Sequence, residues 1–204
     1  AVFGAAFSEQ GVAALLGGDA RTASEWLETL AERELVGRRE ARREWVFRHA
    51  LVREGAYAML TEADRSLGHR LAAEWLEQNG ERDPVALAQH FEIGAMPQRA
   101  AEHYVAAAKQ GLGGSDLGAV VDRLDRALAC LETSGGASSA TMGEAQRARA
   151  EALRWMGRLA ESEQSAQTAT EALSRGSPAW FSACAELAPA AAGRPRHLSP
   201  GSPG

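Results

Sequence analysis

The period of hydrophobic positions divides the chain into three sections, and each period predicts its own kind of element. Val12, Leu15 and Leu16 form a short helical stripe that stops at Gly17-Gly18. Trp26, Leu27, Leu30 and Ala31 form a second stripe, begun by a Thr22 or Ser24 cap. In Glu44-Trp45-Val46-Phe47-Arg48, Trp45 and Phe47 alternate with Glu44 and Arg48 around Val46, a period of two that predicts a strand, and Val36 with its neighbours supplies a partner strand. Helix, helix, hairpin is the layout of a winged helix, here over residues 1–54.

From Ala50 the period is helical again, with Val52, Ala56, Met59 and Leu60 on one face and Gly55 as a close-packing point. Thr61-Glu62-Ala63-Asp64 then resembles a capping box, followed by Leu67, Leu71 and Trp75 at four-residue steps until Asn79-Gly80. Residues 55–82 therefore read as connecting helices. Asp83-Pro84 and Ser177-Pro178 each place an acceptor at a cap and a proline in the first turn. Between and after them, helices are predicted near 85–93, 98–111, 117–132, 144–156, 159–174 and 179–188. Ala100, Tyr104 and Ala107 recur as Val120, Leu124 and Ala127, and more weakly as Ser162, Ala166 and Ala169. Small, large, small at steps of four and three lets neighbouring helices approach, as in tetratricopeptide repeats. The fold expected is mainly α, a small winged-helix element followed by a tetratricopeptide-like solenoid over 83–192. Residues 193–204, rich in proline and glycine, read as a disordered tail.

Composition narrows the function. Of 204 residues, 45% are hydrophobic and 24% charged, enough to bury a core. The net charge of -5 argues against an electrostatic nucleic-acid binder. Locally, seven arginines against four glutamates over Glu32 to Arg53 leave +3, and a DNA-contacting wing is the alternative this raises. Yet Thr22 to Leu35, in the recognition position, carries four glutamates against one arginine, or -3, so DNA is an unfavoured partner. Two cysteines without metal spacing, and an apolar start too short to span a bilayer, fit a cytoplasmic chain without a membrane partner. Ala1 opens an apolar run without a cap, so the chain reads as an interior piece of a longer polypeptide. His69, His90, His103 and His197 lack metal-ligand spacing and read as surface or partly packed residues. Trp26, Trp75, Trp155 and Trp180 fall in helical stripes and read as core, as do Cys130 and Cys184.

The run Phe47-Arg48-His49-Ala50-Leu51-Val52-Arg53-Glu54-Gly55-Ala56-Tyr57, then Leu67-Gly68-His69-Arg70-Leu71-Ala72 and Leu87-Ala88-Gln89-His90-Phe91, resembles the region after the ATPase core in bacterial STAND-class regulatory NTPases. The resemblance implies a winged helix and tetratricopeptide-like helices in a multidomain protein, with a Ser/Thr kinase, cyclase or transcription-regulator module elsewhere. ATP or ADP would belong to that parent. This chain has no phosphate loop and no kinase loops, its only lysine being Lys109, so it is expected to be no enzyme and to hold no cofactor or metal itself. By the same resemblance, His49 corresponds to a winged-helix histidine that senses the phosphates of ADP in the closed state. Ala50 stands where the family has an acid. The plainer role for His49 is to cap or pack at the strand-to-helix junction. Expected partners are the nucleotide-binding domain of the same polypeptide and a protein or peptide on the helical array.

Overall fold

A computed structural model describes residues 1–135 and 139–192, which are 72% helix in ten helices with one three-stranded sheet. The chain divides into two units, Ala1–His103 and from Tyr104 on, so the division falls inside a helix, beyond residue 83 where the helical array was expected to begin. The proline-rich tail, with His197, lies outside the described residues.

The first unit opens with β1 (Ala6–Phe7), α1 (Glu9–Leu15), α2 (Ala20–Glu32), β2 (Val36–Arg39) and β3 (Glu44–Phe47). The strands are antiparallel in the order β1-β3-β2, with Ala6 opposite Val46 and Val36 opposite Phe47. Asp19, not Thr22 or Ser24, caps α2: its carboxylate accepts the Thr22 backbone N–H at 3.0 Å and the Thr22 hydroxyl at 2.6 Å. Thr22 is thus the capped residue, and the helix starts a turn earlier than its apolar stripe. Phe7, Leu27, Val36 and Trp45 form the core here, with Val12, Ala31 and Phe47 packed against it. Trp26 is 56% exposed, against the core expectation. It is one residue, about 100°, away from Leu27 around the helix, and only one of the two can face the sheet.

Next come α3 (Ala50–Ala58), α4 (Glu62–Gln78), α5 (Pro84–Ile93) and α6 (Pro97–Gly111). Thr61 caps α4 by accepting the Asp64 N–H at 3.2 Å, and its hydroxyl donates to the Asp64 carboxylate at 2.7 Å. Asp83 caps α5 by accepting from Val85 and Ala86. The buried face of α4 is His69, Ala72 and Ala73, whereas Leu67 is exposed and Leu71 and Trp75 are half-buried. That face is rotated from the expected stripe because α5 comes in close. A Cβ on Gly94 would stand 2.8 Å from the Arg70 backbone nitrogen, an approach that larger residues on the contact face of α4 would prevent. No residue of α3 is buried, so the expected packed face of Val52, Ala56, Met59 and Leu60 is not a core face within this unit. Gly55 has open space around it rather than a close contact.

The second unit, after the C-terminal part of α6, holds α7 (Leu117–Thr133), α8 (Ser139–Trp155), α9 (Leu159–Ala172) and α10 (Pro178–Ala192). Its recurring triplets are interior: Tyr104 with Ala107, Val120 with Leu124 and Ala127, and Ser162 with Ala166 and Ala169 are all buried. Ser162 satisfies its hydroxyl by donating to the Ala150 carbonyl at 2.7 Å. Helix α8 starts before residue 144 because Gly143 continues the helix rather than breaking it. A Cβ there would meet Leu173 at 2.5 Å, so glycine serves as the contact point between elements. Trp180 packs against Ala169, Leu173 and Ala183, while Trp155 is 64% exposed and again corrects the core expectation. Cys130 is buried and Cys184 half-buried.

Candidate functional site

His49 occupies the N-cap position of α3 with extended backbone (φ -130°, ψ 132°). Its side chain makes no capping hydrogen bond and is exposed, so it neither caps nor packs at the junction. Leu51, Gly55 and Met59 follow at four-residue steps, which places them on one face from the first turn to the end of α3. Leu51 is 80% and Met59 87% exposed, and nothing fills the hollow at Gly55 between them. His49 thus stands at the N-terminal end of α3, and the apolar stripe runs from its first turn to its C-cap Met59.

The other side of α3 is tied down by polar contacts. The Tyr57 hydroxyl and the Nε2 of His69 in α4 are 3.0 Å apart, and the Nδ1 of His69 is 3.1 Å from the Nδ1 of His90 in α5. Arg65 donates to the Ala58 carbonyl and lies over the Tyr57 ring. Burial, and then the neighbouring His90, hold the His69 imidazole down to about 4, and burial also lowers His90. Both rings are therefore neutral near pH 7. A neutral imidazole carries a single N–H, so the Nδ1 to Nδ1 bond needs one ring as donor and the other as acceptor. If Tyr57 donates to His69, His69 must donate to His90; if Tyr57 accepts, the sense of both bonds reverses.

This relay was hidden in the sequence, where His69 and His90 read as surface or partly packed. The correction is that His69 is buried, with its nitrogens satisfied by Tyr57 and His90. The available signal was the company of His69: Ala72 and Ala73, three and four residues on, mark a close-packed face better than Leu67 does. His103 stacks on Phe91 at 5.3 Å, with its Nε2 3.3 Å from Glu77. Hydrogen bonding from Arg99 holds the Glu77 carboxyl below its usual range. Among the described residues no group of three or more His, Cys, Asp or Glu is arranged to hold a metal ion, and no helix is long and apolar enough to cross a membrane.

In the second unit, α7, α8 and α9 line a polar groove of about 370 Å³. Asp125 and Glu132 come from α7, Gln146 and Arg149 from α8, and Gln164 and Ser165 from α9. Arg149 is pinned, donating from Nε to Asp125 at 2.7 Å and from Nη1 to the buried Ser165 hydroxyl at 2.7 Å. No protein-family model, curated protein or solved structure matches the chain.

Proposed function

We propose that this chain is a non-catalytic regulatory and protein-interaction region of a multidomain signalling ATPase. In this reading α1, α2 and the β2–β3 hairpin form a winged-helix-like element, which docks on the nucleotide-binding domain of the same polypeptide. The helices beyond residue 83 form a tetratricopeptide-like array that binds a protein or peptide and biases the on/off equilibrium set by ATP and ADP in the parent.

The observation that carries the proposal is the outward face of α3. Apolar side chains as exposed as Leu51 and Met59, on a helix that opens at an exposed histidine, gain by burial against a partner. A face with an imidazole at its rim suits a domain that presents phosphate oxygens next to apolar surface. The three glutamates on α2, all exposed, disfavour the alternative, a DNA-binding winged-helix regulator, since they would meet phosphates in a major groove.

The test is made in the parent protein. His49→Ala is expected to speed ADP release and raise basal output, because it removes a contact made only in the closed state. Met59→Asp is expected to do the same through the docking face. Wild-type ADP retention and basal output in both variants would overturn the docking reading, and salt-sensitive duplex binding by the chain would favour the DNA alternative.

A further inference from the structure

The groove on α7, α8 and α9 carries an unequal charge. Asp125 and Arg149 neutralise each other at one end, where Ser165 fixes the guanidinium. Glu132 stands at the other end of the α7 side and is exposed, with no ion pair or hydrogen bond among the described residues. The groove therefore has one unmatched negative charge. Seven residues of helix separate Asp125 from Glu132, about 10 Å at 1.5 Å per residue. An extended chain covers that span with about three residues. Between the two ends the side-chain amides of Gln146 and Gln164 face the groove, and neither is engaged with another group among the described residues. Each offers one acceptor and two donors, the complement of a peptide unit's N–H and C=O. The exposed Ala129 on the floor leaves the space open.

We propose that this groove binds an extended peptide segment and reads a lysine or arginine side chain at its Glu132 end. The inference rests on the reading of these helices as an interaction array and adds to it the chemistry of the partner. Anionic ligands are disfavoured, because Arg149, the only guanidinium lining the groove among the described residues, already has two partners and Glu132 would repel them. A basic side chain gains the unpaired carboxylate, while its backbone meets the two amides. The pinned Arg149 is a fixed wall against which the register of the segment is set.

The whole chain is tested against an array of short random peptides, and the best binder is then remade with norleucine in place of its basic residue. Enrichment of lysine or arginine at one position is expected, with the norleucine peptide binding about fivefold more weakly. Glu132→Gln should erase that difference and Glu132→Lys should turn the preference toward aspartate or glutamate. Because Glu132 is exposed, both variants should melt as the parent does. Ala129→Phe should abolish binding of both peptides by filling the floor. Peptide binding without a basic preference, or a preference that survives Glu132→Gln, would overturn the inference and leave the array reading standing. No peptide binding at all would overturn both.

Discussion

Helices α3 and α7 were written by the same kind of sequence pattern and ended differently. Six residues of α7 are buried, from Val120 to Leu131, whereas α3 buries none and leaves Leu51 and Met59 in solvent. A helical stripe of apolar residues states that a face wants a partner and does not say which one. The α7 stripe meets other helices of its own unit, with alanines and glycine at the contacts. The α3 stripe meets none within its unit, and the helix is held instead from its other side by Tyr57 and Arg65. The difference is one of burial: α7 is closely packed within its unit, and α3 keeps an uncovered apolar face.

The strongest way to break this comparison is to cut back matching leucines. Leu124→Ala is expected to cost about 3 kcal/mol, as transfer and cavity terms add in a close-packed site. Leu51→Ala should cost less than about 0.5 kcal/mol in the isolated chain, since its side chain is exposed. Chemical denaturation of both variants checks this, and similar losses would mean that α3 is packed in solution.

Acid sharpens the comparison, because the buried histidine pair belongs to the first unit alone. The His69 pKa is lowered on folding, so the unfolded chain takes up protons first. The stability contributed by keeping this ring neutral is full above about pH 7, falls as pH drops below about 6.5, and is gone near 4. The expected loss is about 3 kcal/mol, read by hydrogen exchange in α4 and α5 and absent from α7 to α9. Equal acid sensitivity in both units would remove the histidine pair as its cause. A smaller effect of opposite sign is expected from Gly55→Ala. With open space at that position and a helical backbone, alanine should stabilise α3 by up to about 1 kcal/mol and slow its amide exchange. A loss instead would show that the hollow is occupied.

Much of the fold was legible because its signals are local. The strand alternation at Trp45, the caps at Thr61 and Asp83 and the interior triplets around Leu124 and Ala166 depend on neighbours within a turn or two. The orientation of α4 was not legible. Leu67, Leu71 and Trp75 look like its core face, but the face chosen is the one whose alanines admit α5. The sites follow the same division. His49 was singled out by the resemblance of its run alone, whereas the Tyr57–His69–His90 relay joins three helices and has no signature of spacing. The groove likewise draws its lining from three helices, and Arg149 is positioned by partners 24 and 16 residues away.

The way α3 is fastened also sets how it would come loose. A helix that buries no residue gives up little apolar surface on detaching, so its release carries a small heat-capacity change and a shallow denaturant slope. Dilute denaturant would then barely alter how often α3 lifts, while it steeply weakens the helices around Leu124. Its opening is governed by a few polar ties, and so by anything that competes for Tyr57 or for the carbonyl of Ala58.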